Sequence, residues 1–336
     1  MNIRYPAEWE PQAAVWLSFP HHKLNWAGAR GEKIRRFYFE LISILLRFQE
    51  VKILIPPGFE IPENFSGMDT HTPFKLNFIP IATDDIWIRD YGPLFVKNGG
   101  KTELAEFQFN AWGEKFPPWE NDNLVPSKMA NLEQRPLKSV PYIFEGGAIE
   151  INDDGLGIST LDCIIGKNRN KKEDLARIRK AICTALGLRD LIILPQGLHG
   201  DHTDGHIDNV ARFVSTTQIV IAAEADPESP NHAILKENAY LLKTWLRRHY
   251  ENRAQVDTIA LPPQNKLESE VLPASYMNFI FANGALIFPL YHSDFDGAAR
   301  EYFTRVFPDR EVIGIDCTTV IEEGGSLHCM SKQEPA

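Results

Sequence analysis

A short glycine-containing pattern recurs five times along the chain and strongly limits the folds that the chain can adopt. In each copy, a glycine, any residue and an aliphatic residue begin an apolar run, and successive glycines lie 55, 58, 79 and 41 residues apart. The copies occupy residues 92–94, 147–149, 205–207, 284–286 and 325–327. Recurrence of this kind is typical of repeat architectures, in which each unit buries its apolar face against its neighbours. We therefore expect five related units, closed into a ring, in one α/β domain spanning residues 1–336.

Helical and strand patterns alternate between these segments. Apolar residues at helical spacing predict four helices, at residues 34–48, 175–186, 234–245 and 298–307. Each is followed by a short aliphatic run that predicts a buried strand, at residues 51–55, 191–194, 256–261 and 312–315. Residues 98–144 contain five prolines and show little helical periodicity. A doubly wound parallel sheet is the alternative to the ring, because it also alternates helices with strands.

The charge balance of the chain argues against several classes of partner. Lys and Arg number 35 and Asp and Glu 45, which gives a formal net charge of −10. Such a balance disfavours phosphate backbones and anionic membranes. The apolar stretches are too short to span a bilayer, and the first residues lack the apolar core of a signal peptide. We expect a cytoplasmic protein with no nucleic-acid or membrane partner, and the sequence is compatible with a homo-oligomer.

The four cysteines divide into two groups. They include no close pair, so neither a disulfide framework nor a zinc-finger pattern is predicted. Cys163, Cys183 and Cys317 are predicted to be core residues. Cys329 instead follows the glycine pair of the last repeated segment, which makes it a candidate nucleophile.

Polar residues in or beside the repeated segments are the candidate functional residues. They are Asp84, Asp85, Arg89, Asp90, Glu145, Asp204, His206, Asp208 and Cys329, whereas the fourth segment offers only Asn283. In a ring of equivalent units these positions would converge on one central pocket. A thiol beside a base can act as a nucleophile, and a carboxylate can orient the imidazole of that base. Cys329, His206 and Glu145 can fill these three roles.

Two further carboxylates, Asp90 and Asp208, are surplus to such a triad. Buried carboxylates are costly unless they are paired, and a planar cation with several N–H donors would pair them. The sequence therefore predicts a small cationic guanidinium substrate.

Longer motifs around these residues resemble one known family, the agmatine deiminases and bacterial-type peptidylarginine deiminases, which are guanidine-modifying enzymes. In chain order they are AEWEPQAAVWLSFPH (7–21), TDDIWIRDYGP (83–93), FEGGAIE (144–150), HTDGHIDNVARF (202–213), PASYMNFIFANGA (273–285) and EEGGSLHCMSKQEP (322–335). The resemblance implies a five-bladed, pseudosymmetric α/β propeller of the pentein type, closed around a central active site.

The resemblance also implies a role for individual residues. Cys329 corresponds to the nucleophile, His206 to the general acid and base, and Glu145 to the carboxylate that orients His206. The guanidinium ligands correspond to Asp90 and Asp208, and Trp87 matches a tryptophan that lines the substrate pocket. Asp85 is a further candidate for substrate binding, with a structural role in a turn as the alternative. No metal or organic cofactor is required.

The implied reaction is hydrolytic deimination through a covalent amidino-thioether on the cysteine. The expected substrate is agmatine, which would give ammonia and N-carbamoylputrescine, a step of polyamine biosynthesis. A peptidylarginine deiminase is the first alternative, because position 202 is a histidine where agmatine-specific members often carry an acidic residue. A metallohydrolase is the second, with His199, Asp201, His202, His206 and Asp208 as ligands. A binding module without activity is the third.

The aromatic residues of one loop allow two predictions about how the pocket is covered. Residues 107–120 contain Phe107, Phe109, Trp112, Phe116 and Trp119. They predict either a lid over an aliphatic substrate or the packed core of a surface loop.

Overall fold

The computed structural model describes residues 3–22, 25–166, 168–263, 266–267, 270–292 and 294–336. The strands are β1 (Ile3–Arg4), β2 (Gln12–Ser18), β3 (Glu50–Ile55), β4 (Leu76–Pro80), β5 (Leu94–Asn98), β6 (Lys101–Gln108), β7 (Leu137–Ile143), β8 (Glu150–Ile151), β9 (Leu156–Thr160), β10 (Asp190–Leu194), β11 (Ala211–Ser215), β12 (Gln218–Ala223), β13 (Gln255–Ala260), β14 (Lys266–Leu267), β15 (Glu270–Val271), β16 (Ile280–Ala282), β17 (Ala285–Leu290), β18 (Glu311–Asp316) and β19 (Ser331–Pro335). The α-helices are α1 (Gly28–Leu45), α2 (Ile88–Tyr91), α3 (Ala111–Glu114), α4 (Glu120–Asn123), α5 (Val125–Glu133), α6 (Leu161–Ile164), α7 (Leu175–Leu186), α8 (Pro230–Tyr250), α9 (Asp296–Val306) and α10 (Thr318–Ile321). Short 3-10 turns include Gly146–Ala148 and Ile207–Asn209.

The helices and strands expected from apolar periodicity are all present. The four helices are α1, α7, α8 and α9, and the strands that follow them are β3, β10, β13 and β18. Of the predicted stripe in α7, Ile178, Ile182 and Leu186 are fully buried, whereas Leu175 in the first turn is only partly buried. This helix ends at Gly187, whose φ of 68° is the left-handed conformation that glycine adopts at low cost.

The described strands form five sheets of three or four strands and a separate pair, β14 with β15. Each of the five sheets has one strand that pairs antiparallel on one side and parallel on the other. These strands are β2, β6, β9, β12 and β17. The sheet around β2 joins the two ends of the chain, because β19 pairs with it. The alternative of one doubly wound parallel sheet is therefore wrong.

Four of the five glycine segments occupy equivalent places in this topology, and the fourth does not. Gly92, Gly147, Gly205 and Gly325 precede the antiparallel strands β5, β8, β11 and β19. Gly284 lies instead in the tight turn between β16 and β17, with a φ of 80°. The prediction for this segment was wrong, because the glycine serves a hairpin turn. The residues that precede β16 are 275–279, and they include Asn278.

The proline-rich stretch that showed little periodicity contains helix α5 between strands β6 and β7. Its Pro126 lies in the first turn, where a helix needs no backbone N–H from that residue. None of the described helices is both long and apolar enough to cross a membrane.

Candidate active site

Five of the predicted site residues come together at the ends of short turns. Asp90 lies in α2, Glu145 just before the turn Gly146–Ala148, and Cys329 in the segment between α10 and β19. His206 and Asp208 flank the start of the turn Ile207–Asn209. All five side chains are buried, with at most 6% of the residue exposed. These five side chains therefore lie together in the fold, and their roles stay predictions.

His206 lies between two carboxylates. Its Nδ1 is 3.6 Å from Asp90 Oδ1, and its Nε2 is 3.7 Å from Glu145 Oε2. Neither ring nitrogen has a hydrogen-bond partner among the described residues. Burial acts to lower the pKa of His206, but Asp90 and the other carboxylates around the ring outweigh it and raise the pKa to about 9. The ring is therefore protonated at neutral pH and can donate a proton.

The two surplus carboxylates, Asp90 and Asp208, differ in how their oxygens are used. Asp90 Oδ1 accepts from the backbone N–H of Gly147 at 2.8 Å, and Oδ2 accepts from Trp112 Nε1 at 3.0 Å. Asp208 Oδ2 lies 2.8 Å from His328 Nδ1, whereas its buried Oδ1 has no hydrogen-bond partner among the described residues. A buried carboxylate oxygen without a donor is costly, so this oxygen calls for a ligand that donates.

The same two carboxylates have opposite pKa shifts. Burial raises the pKa of Asp90 to about 6. Burial acts to raise that of Asp208 as well, but the hydrogen bond with His328 and the nearby cations outweigh it, and the pKa falls below its ordinary value. At neutral pH both side chains are ionised and can bind a cation.

The thiol of Cys329 lies beside one of these carboxylates. Its Sγ is 3.8 Å from Asp208 Oδ2 and accepts from Asn278 Nδ2 at 3.2 Å. Burial, together with Asp208 and Asp90, raises the pKa of the thiol well above its ordinary value. The thiol is therefore protonated at neutral pH, and a cation placed beside it would favour the thiolate.

Gly147 lies at the centre of the site. A Cβ atom at this position would be 2.5 Å from His206 Nδ1, 2.8 Å from Asp90 Oδ1 and 3.0 Å from Asp208 Oδ2. Its backbone N–H also fixes Asp90. The glycine of the second repeated segment is therefore needed because three functional side chains approach its backbone.

A cavity of about 360 Å³ opens over Cys329 and Asp90. Its aromatic walls are Trp26, Trp87, Trp112 and Phe116. Trp87 packs against the backbone of Gly325, where a Cβ atom would lie 2.4 Å from the ring. Of the aromatic loop, Trp112 and Phe116 line the cavity as a lid would, whereas Phe107 and Phe109 are buried in the core and Trp119 packs against it.

The charged residues of the cavity wall are mostly paired. Arg30 pairs with Glu323, and Lys115 Nζ lies 2.6 Å from Asp204 Oδ1. Asp85 is partly exposed in the wall and has no ion-pair partner among the described residues; its Oδ1 accepts from the backbone N–H of Ile86 at 2.8 Å. Burial raises the pKa of Asp85 to about 7. A cation beside this carboxylate would favour its ionised form.

A second cavity, of about 550 Å³, lies beside the first and shares Trp112 and Lys115 with it. Neither Cys329 nor Asp90 lines this larger cavity. We place the chemistry in the smaller one, because it alone is lined by the thiol.

Sequence reasoning missed several residues that hold the site together. Asn278 donates to the thiol of Cys329, and Trp112 donates to Asp90. Arg169, whose side chain is only 1% exposed, donates from Nε to Glu145 Oε1 at 2.8 Å. Burial acts to raise the pKa of Glu145, but Arg169 outweighs it and the pKa is below its ordinary value. Asn278 could have been found if the fourth segment had been placed before β16. Trp112 was named only as a loop aromatic, and neither its hydrogen bond to Asp90 nor the pairing of Arg169 with Glu145 carries a local signal.

The histidines of the metallohydrolase hypothesis do not form a metal site. Among the described residues, ligand atoms of three candidate side chains converge only at Glu8, Glu150 and His328. Arg212 already lies between the two carboxylates, 2.7 Å from Glu8 Oε2 and 2.8 Å from Glu150 Oε2. Because a guanidinium fills this position, the group does not suit a metal ion.

The other cysteines lie mostly where they were predicted. Cys163 and Cys317 are fully buried, whereas Cys183 is only partly buried on α7. Burial raises the pKa of all three thiols. None of them lines the cavity.

Comparisons with known proteins agree over the whole chain. The model of the Porphyromonas-type peptidyl-arginine deiminase family matches residues 4–335. The agmatine deiminase of Pseudomonas putida is 30% identical over 359 aligned residues, which cover 100% of this chain and 96% of that protein. A cysteine-to-serine variant of the agmatine deiminase of C. jejuni, solved with substrate bound, has a TM-score of 0.85 at 29% identity, covering 99% of this chain and 96% of that one. The agmatine deiminase of Enterococcus faecalis has a TM-score of 0.88 at 25% identity, with coverage of 99% and 96%.

Proposed function

Because the chain belongs to the Porphyromonas-type peptidyl-arginine deiminase family, we propose that it hydrolyses a guanidinium group to a ureido group and ammonia, with agmatine as its substrate. One observation carries this proposal. Cys329 and Asp90 form the floor of the cavity. Directly behind them the protonated imidazole of His206 lies 3.6 Å from Asp90, and Asp208 lies 3.8 Å from the thiol with its buried Oδ1 lacking a donor among the described residues. A guanidinium supplies both the positive charge and the N–H donors that this floor lacks.

The first half of the reaction forms a covalent intermediate. The guanidinium donates N–H groups to Asp208 and Asp90, and its charge favours the thiolate of Cys329, whose proton passes to solvent because His206 is already protonated. The thiolate attacks the central carbon, so a C–S bond forms and a tetrahedral adduct results. His206 then protonates one amino group, the C–N bond breaks, and ammonia leaves an amidino-thioether on the cysteine.

The second half consumes water. His206, now neutral, takes a proton from a water molecule whose oxygen attacks the same carbon. The C–S bond breaks, the sulfur recovers the electron pair and takes the proton of the new hydroxyl group, and the neutral ureido product leaves. Glu145 lies 3.7 Å from the ring and orients it through both halves. Water is the only co-reactant, so no cofactor takes part in the proposed steps.

The upper part of the cavity fits an aliphatic chain that ends in an amine. The aromatic walls, including Trp87, would pack against the four methylene groups of agmatine. Asp85 is then the carboxylate for the distal ammonium, because it lines the wall and forms no ion pair with the described residues, the nearby Arg30 being paired with Glu323.

The five sheets are proposed to surround this site as the blades of one propeller. Their shared topology supports equivalent blades, and the pairing of β19 with β2 would close the ring across the two chain ends. Residues 1–336 would then form a single domain.

A substrate screen tests the proposed function. Purified protein should release ammonia from agmatine faster than from free arginine or from an arginine-containing peptide. His202 in the cavity wall is the observation that favours the peptide, and preference for the peptide would replace agmatine deimination by peptidylarginine deimination. No ammonia from any of the three would overturn the proposal.

Asp85→Asn should weaken agmatine specifically. Removing the partner of the distal ammonium is expected to raise the KM for agmatine about tenfold, since a hydrogen bond to a charged group contributes roughly 1.5–3 kcal/mol. Butylguanidine, which lacks the amine, is the matched control and should keep its KM. Equal effects on both substrates would assign Asp85 a structural role in its turn.

The affinity for substrate should depend on pH through Asp90. Because its pKa is raised to about 6, Asp90 loses its charge as the pH falls through that value, and the KM should rise. Butylguanidine is the suitable substrate, because titration of Asp85 near pH 7 does not affect a neutral chain end. The acid-side rise should disappear in Asp90→Asn; a rise that persists there would assign it to another group.

Gly147→Ala should lower kcat at least about tenfold. The new methyl group would displace the side chains of His206, Asp90 and Asp208. A displacement of about 1 Å in an active site can lower the reaction rate about 100-fold. Gly297→Ala is the control, since nothing lies within 4 Å of a Cβ atom there. Steady-state ammonia release checks the prediction. Normal turnover by a folded Gly147→Ala protein would contradict the packing described around this glycine.

A further inference from the structure

His328, the residue before the nucleophile, bridges two carboxylates. Its Nδ1 is 2.8 Å from Asp208 Oδ2, and its Nε2 is 2.7 Å from Glu8 Oε1. The ring is fully buried, and its own backbone carbonyl accepts from Arg89 Nε at 3.0 Å. Both ring nitrogens are therefore within hydrogen-bonding distance of groups that ordinarily only accept.

A proton count follows from this geometry. A neutral imidazole has one N–H donor, and an ionised carboxylate has none. Two hydrogen bonds, one on each side of His328, therefore need one proton more than the neutral ring and two carboxylates hold. That proton lies either on the ring, as an imidazolium, or on a carboxyl group.

The surroundings favour the ring over either carboxyl group. Glu8 accepts from Arg89 Nη1 at 2.9 Å and from Arg212 Nη2 at 2.7 Å, and these cations, with His328, hold the pKa of Glu8 well below its ordinary value despite burial. The pKa of Asp208 is also lowered. Burial and the guanidinium groups of Arg212 and Arg89 oppose a charge on His328 and lower its pKa. The contacts of 2.8 Å to Asp208 and 2.7 Å to Glu8 nevertheless require a proton on each ring nitrogen, because an ionised carboxylate cannot donate.

We propose that His328 is a positioning residue, which donates from both ring nitrogens, ties Asp208 to Glu8, and thereby keeps Asp208 Oδ1 turned to the substrate and Asp208 Oδ2 engaged beside Cys329. The proton count does not depend on the proposed function, whereas the benefit to catalysis rests on it. Asp208 Oδ2 lies 3.8 Å from the nucleophilic Sγ, so its negative charge opposes the thiolate. A positive N–H group on that oxygen offsets part of this repulsion.

The protonation state can be measured in the unaltered protein. Nitrogen-15 NMR of histidine-labelled protein at neutral pH should show two buried rings protonated on both nitrogens, and the signals absent in His328→Gln belong to His328. His206 is the other buried imidazolium expected, and His206→Gln identifies its signals. A neutral tautomer at His328 would overturn the proposal. The measurement itself uses the unaltered protein, and the two variants need to fold only so that the signals can be assigned.

The effect on the thiol is measured by alkylation of Cys329. With iodoacetamide, at a pH below the midpoint of the thiol, His328→Gln should slow modification about tenfold, which corresponds to a rise of one unit in the pKa of the thiol. His249→Gln is the control, because His249 pairs with Asp190 outside the cavity. An unchanged rate in a His328→Gln protein that unfolds at the normal temperature would overturn the proposed role.

Glu8→Gln gives the matched second background. There a neutral His328 can donate to Asp208 and accept from the new amide, so the further change His328→Gln should slow alkylation less than in the original protein. Equal slowing in both backgrounds would contradict the bridge. None of these measurements uses a substrate. A failure of ammonia release would overturn the proposed deiminase function, whereas the protonation state of His328 is decided by the NMR measurement alone.

Discussion

Cys329→Ala should abolish ammonia release from agmatine, with a fall in kcat of about 10⁴-fold or more. The reason is that every proposed step forms or breaks a bond to Sγ, and no second thiol lines the cavity among the described residues. The variant should still be stabilised against thermal unfolding by agmatine, because the carboxylates that bind the guanidinium remain. A discontinuous ammonia assay and a thermal shift measured on the same preparation check both points.

Cys183→Ala is the matched control for this prediction. Cys183 lies on α7, partly buried and away from the cavity, so its replacement should leave turnover unchanged. If Cys329→Ala retained normal turnover, the covalent mechanism would be wrong even if the protein were a deiminase.

Asp208→Asn should lower kcat/KM about 100-fold or more. The amide keeps the shape of the carboxylate but loses its charge, and hydrogen bonds between charged groups contribute more than neutral ones. Asp208 Oδ1 is the buried acceptor that no donor of the described residues reaches, so an amide nitrogen turned to the same place would face the N–H groups of the substrate. Agmatine should therefore no longer stabilise a Cys329→Ala, Asp208→Asn double variant.

Asp226→Asn serves as the control for charge alone, since Asp226 is exposed in the loop before α8. Stabilisation by agmatine that survives in the Cys329→Ala, Asp208→Asn protein would mean that Asp208 does not bind the guanidinium.

Much of the scaffold could be predicted because apolar periodicity reports burial directly. The stripe of Ile178, Ile182 and Leu186 has the helical spacing and is fully buried. The convergence of Glu145 and His206 was also predictable, because each precedes an equivalent antiparallel strand. The error at Gly284 has the same origin, since a hairpin turn and the segment before a strand both favour glycine and no local pattern separates them.

The buried charges beneath the site could not be predicted from local patterns. Glu8 and His328 are 320 residues apart in the chain and 2.7 Å apart in the fold. In the sequence, Glu8 has the features of an ordinary surface residue, because burial of a charge depends on partners that the fold brings from elsewhere. Arg169 next to Glu145 is a second case. Pairing between distant charges is therefore the part that required the structure.

The most direct test of the central claim compares two alkylating reagents of the same size, 2-chloroacetamidine and 2-chloroacetamide. The first is a planar cation like the guanidinium and the second is neutral, and their rates with a free thiol correct for intrinsic reactivity. After this correction, the amidine should modify Cys329 about 100-fold faster than the amide, agmatine should protect the thiol, and Asp208→Asn should remove most of the preference. Equal corrected rates, or modification that falls mainly on another cysteine, would contradict a guanidinium site built around Cys329.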